Sequence, residues 1–112
     1  MANKTSAGIP FSDDVIQKVW EKARPIEGEN PALIRKDICG AIIHREKFNH
    51  NSKSLSGGWE IDHIKPVSKG GNDDFYNLQP LQWENNRGKG DEHPSWRCKV
   101  VASEKLNSYL HT

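Results

Sequence analysis

Residues 59–91 read WEIDHIKPVSKGGNDDFYNLQPLQWENNRGKGD and contain the strongest structural signals of the chain. Residues 59–64 alternate apolar and polar side chains, which predicts a strand with one buried face. Residues 65–76 contain Gly-Gly and Asn-Asp-Asp, which are typical of a loop. Residues 77–81 predict a second strand, and the proline within it places that strand at a sheet edge. Residues 82–89 predict a short helix that a glycine ends.

The residues outside this stretch predict a few further elements. A serine cap, two acidic residues and an apolar face predict a helix over 12–24. The turn sequence at 37–40 lies between β-branched residues and predicts a hairpin. Residues 1–11 are small and polar, so we expect them to be flexible. A strand is predicted over 95–101 and a terminal helix over 103–110.

Length and composition limit the classes of protein. A chain of 112 residues predicts one small domain, here 12–112 with its core motif at 59–91. No apolar run is long enough to span a membrane, and the N-terminus lacks the apolar segment of a secretory signal. Two cysteines, Cys39 and Cys98, cannot build a disulfide framework and are expected to be buried thiols. The default location is therefore the cytoplasm.

Three side chains in the central stretch could carry chemistry together. Asp62 and Asn86 offer a carboxylate and an amide oxygen, a pair that suits a hard divalent cation such as Mg²⁺ or Mn²⁺. His63 offers an imidazole that can deprotonate water near neutral pH. Because neighbouring strand residues point to opposite faces, Asp62 and His63 can converge only where the strand ends. Asn77, at the exit of the loop, can hydrogen-bond its backbone and hold His63 in position.

Residues 60–91 resemble an HNH endonuclease, a family built on a ββα-metal motif that is also called the His-Me finger. The resemblance is carried by Asp62-His63-Ile64-Lys65-Pro66, the Gly-Gly loop, Asn77-Leu78-Gln79-Pro80-Leu81 and Asn86-Arg87-Gly88-Lys89. It implies a small α+β domain in which His63 is the general base, Asp62 and Asn86 are metal ligands, and Asn77 fixes the loop. It further implies that Lys89 meets phosphate.

The sequence departs from the commonest family pattern in two places. The third motif residue is Asn86 rather than histidine, which gives an H-N-N variant and favours Mg²⁺ or Mn²⁺, although Zn²⁺ or Ni²⁺ could occupy the same site. Many relatives carry two CxxC pairs that bind a structural zinc. This chain has no CxxC, so we expect no structural zinc of that kind.

The function implied by the resemblance is metal-dependent hydrolysis of DNA phosphodiesters, with nicking as the elementary event. Backbone contacts to double-stranded DNA are expected from Lys89 and Arg87, with Arg45 and Lys47 as further candidates. No base-reading element is visible, so a larger nuclease or packaging assembly could supply specificity. The oligomeric state is left open. His93 is close to the motif in sequence, but a surface loop position is favoured.

Three alternatives belong to other classes or substrates. A module of the same fold could bind nucleic acid without cutting it, but His63 and both metal-ligand types are present. RNA could replace DNA as the substrate, and nothing in the residues excludes it. A zinc-finger-like module is disfavoured because four Cys or His ligands at finger spacing are missing.

Overall fold

The computed structural model describes residues 3–110, in which two helices are set among three small antiparallel sheets. The α+β class that the sequence predicts is confirmed. No helix of the described residues is long and apolar enough to cross a membrane. In chain order the elements are α1 (Asp13–Trp20), β1 (Arg24–Pro25), β2 (Ile34–Lys36), β3 (Ile42–His44), β4 (Trp59–His63), β5 (Leu78–Gln82), α2 (Trp83–Lys89), β6 (Val100–Ser103) and β7 (Leu106–Tyr109).

The N-terminal helix and the hairpin form where they are predicted, although the helix is shorter. The hydroxyl of Ser12 accepts a hydrogen bond from the backbone N–H of Val15, which caps the first turn of α1. The helix ends at Trp20, four residues before the predicted end. Strands β2 and β3 pair with Ile34 opposite His44, and β1 adds a third, short strand.

The core lies where α1 meets the β4–β5 pair. Trp20 and Trp59 are fully buried, with ring centroids 5.3 Å apart, and Phe48 meets the edge of Trp59 at 4.9 Å. Ile61 continues the same face of β4 into the core. Trp20 of α1 and Trp59 of β4 are fully buried against each other, and the partly buried Phe48 covers Trp59, so aromatic packing is the main apolar support of β4.

Strands β4 and β5 form a two-stranded antiparallel ribbon, and α2 follows β5 directly. Trp59 lies opposite Gln82 and His63 opposite Leu78. The side-chain oxygen of Gln82, the last residue of β5, accepts from the backbone N–H groups of Glu84 and Asn85 and so caps α2, which begins at the next residue. Each strand of a two-stranded ribbon is an edge, which explains why a proline is tolerated in β5.

The loop between β4 and β5 requires its second glycine because the backbone folds back on itself. A Cβ atom at Gly71 would lie 1.7 Å from the carbonyl oxygen of Lys65, so no other residue fits there. The preceding Gly70 has φ +90°, which favours glycine. The Gly-Gly pair is therefore a backbone requirement of this loop.

The C-terminal region corrects two predictions. Residues 103–110 do not form a helix, because β6 and β7 make a hairpin there with Val100 opposite Tyr109. The predicted strand over 95–101 begins only at Val100. The cause is tertiary: the amide of Asn107 bonds both the N–H and the C=O of Ile42 and so holds the hairpin to β3.

The cysteine prediction is wrong. Cys39 and Cys98 form a disulfide that connects the β2–β3 turn to the segment before β6. Their Cα atoms are 5.7 Å apart although the two residues are 59 positions apart in sequence, a proximity that only the fold creates. A disulfide is typical of oxidising compartments, so the cytoplasmic location stays a prediction that cysteine chemistry does not support.

Part of the segment predicted to be flexible is attached to the domain. Asn3 exchanges two hydrogen bonds with the backbone of Ile61, and its side chain donates to Asn49. At the other end of the segment Phe11 is buried in the core. The segment is therefore fixed at two points, by Asn3 at β4 and by Phe11 in the core.

Candidate functional site

An open cavity of about 780 Å³ lies at the end of β4, between the N-terminal segment and α2. Four residues that the sequence selected line it together: Asp62, His63, Asn86 and Arg87. His63 is the last residue of β4, as the convergence of neighbouring side chains requires. Further lining residues, which the sequence did not select, include Lys4, Asn51, Glu60 and Asp91.

Asp62 is a buried carboxylate with a partner on each oxygen. Lys89 Nζ lies 3.2 Å from Oδ1, and the amide of Gln79 donates to Oδ2 at 2.9 Å. Burial raises the pKa of Asp62 above its usual range, while these two partners oppose that rise. A carboxylate has about four lone-pair positions, so each oxygen of Asp62 still has one lone pair that can bind a further ligand.

Asn86 is oriented by a second buried carboxylate. Its Nδ2 donates to Glu60 Oε1 at 2.9 Å. The other carboxylate oxygen of Glu60 accepts from Asn51 at 3.1 Å and from Arg87 at 3.2 Å. Within residues 3–110 no donor bonds the amide oxygen of Asn86. Since no fully buried side-chain oxygen lacks a partner there, this oxygen is accessible. Glu60 thus fixes the amide so that its oxygen is left for a ligand.

His63 is held from two sides. Its Nε2 lies 2.8 Å from Oδ1 of Asp73, and its ring packs against Phe11 at a centroid distance of 6.0 Å. The side chain is 7% exposed. The hydrogen bond from His63 is the main cause that lowers the pKa of Asp73, so this carboxyl is ionised at neutral pH.

Asn77 holds the β4–β5 loop, and its hydrogen bonds go to the loop backbone and not to His63. Its Oδ1 accepts from the N–H of Lys65, and its Nδ2 donates to the carbonyls of Lys65 and Asn72. Its own carbonyl accepts from the N–H of Ile64. Asn77 therefore ties together the two ends of the loop that begins after His63, which is the place the sequence predicted for it.

The structure contradicts the predicted phosphate contact of Lys89. The side chain is 1% exposed, and its Nζ donates to Asp62 Oδ1 and to the carbonyl of His63 at 3.0 Å. Removing an ammonium group from water is unfavourable unless it is paired, and Asp62 supplies that pair. Lys89 is therefore an internal counterion of the site and not a surface contact.

Two other cationic candidates and one histidine lie away from the cavity. Arg45 donates to Gln17 at 2.9 Å, and neither Arg45 nor Lys47 lines the cavity. His93 is half-buried and also lies outside the lining. Arg87, with about half of its side chain exposed, is the one cationic candidate of the sequence that reaches the opening.

Sequence reasoning missed two acidic residues of the site. Glu60 precedes Asp62 by two positions, so strand alternation places both on the same side, and this pattern could have found it. Asp73 had no comparable signal, because it lies on a loop whose path is decided by Gly71 and Asn77. Asn51, the partner of Glu60, is nine residues away in sequence, whereas Ser6, the partner of Asp73, is 67 residues away.

The donor chemistry fits a hard divalent cation. Asp62 and Asn86 bring one carboxylate and one free amide oxygen to the same cavity, and oxygen ligands are those that Mg²⁺ prefers. Among residues 3–110 no three His, Cys, Asp or Glu side chains converge as a metal-binding group. Water and substrate oxygens would complete the coordination of a cation held by only two protein ligands.

Comparison with protein families gives one match. The model described as "HNH endonuclease" matches residues 38–92. Neither the search of curated proteins nor the search of solved structures gives a significant match. The matched range contains Glu60, Asp62, His63 and Asn86. Residues 38–92 of this chain therefore belong to the HNH endonuclease family.

Proposed function

We propose that this protein is a metal-dependent endonuclease that hydrolyses the phosphodiester bonds of DNA one strand at a time. The observation that carries the proposal is that Asp62, His63 and Asn86 line one cavity. A general base and two oxygen ligands are the protein groups needed to activate water beside a phosphate. The family match supports a nuclease, and the chemistry of these residues supports the use of a metal.

Each of the three residues has a separate role. His63 takes a proton from the attacking water. Asp62 and Asn86 hold a divalent cation, for which Mg²⁺ and Mn²⁺ are preferred over Zn²⁺ or Ni²⁺ because both ligands are oxygens. When bound, the cation would polarise the phosphate and neutralise charge on the leaving oxygen. The resemblance implies products with a 5′ phosphate and a 3′ hydroxyl.

Lys89 keeps Asp62 ready for this role. A buried carboxylate without a partner would favour its protonated form, because burial raises the pKa of Asp62. The ammonium of Lys89 at 3.2 Å favours the ionised form, which is the form that binds a cation.

The rim of the cavity favours an anionic polymer. Lys4 lines the cavity and is exposed, and Arg87 lies at the same opening. Two cations beside a hydrolytic site would hold the phosphates that flank the scissile bond. One site in one chain cuts one strand, so double-strand cleavage requires a second copy or a second event. Assembly with a larger nuclease or packaging complex remains part of the proposal.

The test is conversion of supercoiled plasmid to nicked circle with Mg²⁺, Mn²⁺ or EDTA. We expect nicking with either metal, none with EDTA, and a loss of at least about a thousandfold in His63→Ala. His50→Ala is the matched control, because His50 is exposed and lies outside the cavity. It should nick like the unchanged protein.

Other results would redirect the proposal. Nicking that survives in His63→Ala would contradict the role of His63 as base. DNA binding without nicking under any metal would support the non-cutting module of the same fold. A parallel reaction with single-stranded and duplex RNA decides the substrate, since faster cleavage of RNA would overturn DNA as the preferred polymer.

A further inference from the structure

The N-terminal segment reaches the site through an acidic loop residue. Asn3 bonds the N–H and the C=O of Ile61, which attaches the start of the segment to β4. Three residues later Ser6 meets Asp73. The backbone N–H of Ser6 donates to Asp73 Oδ1 at 2.8 Å, and its hydroxyl donates to Oδ2 at 2.7 Å.

Asp73 therefore receives three hydrogen bonds that leave it one orientation. Two come from Ser6, and the third connects Oδ1 to His63 Nε2 at 2.8 Å. An ionised carboxylate only accepts hydrogen bonds, so the nitrogen that faces it must carry the proton. In a neutral imidazole the other nitrogen, Nδ1, then has the free lone pair.

We propose that Asp73, held by Ser6, is a positioning residue that keeps His63 as the Nε2–H tautomer, with Nδ1 free to accept the proton of water. This inference rests on the proposed function, because it assigns the atom through which His63 acts as base. Phe11 limits the tilt of the ring by packing, but an apolar ring cannot choose between the two nitrogens. That choice comes from Asp73.

The asparagine variant separates hydrogen bonding from charge. In Asp73→Asn the amide oxygen can still accept from Ser6 N–H and His63 Nε2, while the new NH₂ donates to the Ser6 hydroxyl. In Asp73→Ala all three contacts are lost. The neighbour Asp74 supplies the matched control, because its side chain makes no capping hydrogen bond.

The first experiment measures the tautomer of His63 by long-range ¹H–¹⁵N NMR on the metal-free protein, under conditions where the ring is neutral. We expect the Nε2–H form in the unchanged protein, in Asp73→Asn and in Asp74→Ala. Asp73→Ala should lose this preference. An Nδ1–H form in the unchanged protein, or no change in Asp73→Ala, would overturn the inference.

The second experiment measures nicking kinetics. Asp73→Ala should lower kcat by roughly 10- to 100-fold, with KM changed less than about threefold, because orientation of the base acts on the chemical step. Asp73→Asn should recover most of that loss. An effect on KM alone, or no recovery in Asp73→Asn, would contradict positioning.

Two further results have to be distinguished: an Asp73→Ala variant that does not fold, and an unchanged protein that does not nick DNA. If Asp73→Ala does not fold, Ser6→Ala removes one of the three bonds, and we expect a kcat loss of about threefold with the same tautomer still dominant. If the unchanged protein does not nick at all, the proposed function fails. The NMR result still decides whether Asp73 sets the tautomer of His63.

Discussion

On each of two sides of α2 an asparagine is hydrogen-bonded to a buried carboxylate, but the two pairs have different roles. On one side Asn85 Nδ2 donates to Asp37 at 3.1 Å, and on the other Asn86 Nδ2 donates to Glu60 at 2.9 Å. Both carboxylates are 1% exposed. Two neighbouring asparagines thus lie on buried acids that belong to different parts of the protein.

The difference lies in what remains of each amide. Asn85 Oδ1 accepts from the N–H groups of Lys99 and Val100, and its Nδ2 also donates to the carbonyl of Val100. Within residues 3–110 the oxygen of Asn86 has no donor. A fully used amide stabilises the fold, whereas a half-used amide at a cavity is available to a ligand.

The carboxylates show the same contrast. Asp37 accepts four hydrogen bonds, from the backbone N–H groups of Cys39, Ala41 and Gln82 and from Asn85. Burial raises the pKa of Asp37, and these donors limit the rise. Glu60, in contrast, accepts from three side chains that all line the cavity. Asp37 joins backbone segments, while Glu60 orients groups of the site.

The largest effect should come from Asn85→Ala. It removes the hydrogen bonds of a fully buried amide and leaves Asp37 and two backbone N–H groups short of partners, which should lower the free energy of unfolding by about 4 kcal/mol. Urea denaturation measures this. A decrease in the free energy of unfolding of less than about 1 kcal/mol would show that Asn85 does not stabilise the fold more than Asn86 does.

Asn86→Ala should show the reverse pattern. We expect kcat/KM for nicking to fall about 100-fold, since a metal ligand is lost, while the free energy of unfolding changes by less than about 1.5 kcal/mol. Nicking assays over a range of Mn²⁺ concentrations measure both the rate and the apparent metal affinity. Unchanged metal dependence would contradict the ligand role and weaken the contrast with Asn85.

Glu60→Gln should have an intermediate effect. The amide that replaces the carboxylate can still accept from Asn86, but it cannot satisfy all three donors, so the orientation of Asn86 is less well fixed. We expect roughly a tenfold loss of kcat/KM. Asn51→Ala is the matched control. That variant removes a donor to Glu60 without touching Asn86, and its activity should change less than that of Glu60→Gln.

The smallest effect is expected from Arg87→Ala, compared with Arg45→Ala. Arg87 lies at the opening, so its loss should raise KM by about threefold and reduce the slope of binding against salt concentration by about one. Arg45 contacts Gln17 away from the cavity and should leave both quantities unchanged. Equal effects of the two variants would mean that DNA covers a larger surface than the cavity rim.

Sequence reasoning found the site where its signals are local. The alternation of residues 59–64, the Gly-Gly loop and the helix after it identified β4, β5 and α2, because strand and helix periods depend on neighbouring residues. It also selected Asp62, His63 and Asn86, which the fold brings to one cavity. The prediction for Lys89 was wrong: its position after Asn86 indicated a phosphate contact, whereas the side chain pairs with Asp62.

The chain by itself determined which groups can do chemistry and the order of the elements that carry them. Tertiary structure alone decided which asparagine is structural, that Lys89 is an internal counterion, that Cys39 meets Cys98, and that residues 103–110 form a hairpin. It also decided that Ser6 meets Asp73. All but the hairpin join residues far apart in sequence, and the hairpin itself is held by the contact of Asn107 with Ile42. Such long-range contacts exist only after the core has packed and fixed the distances between segments.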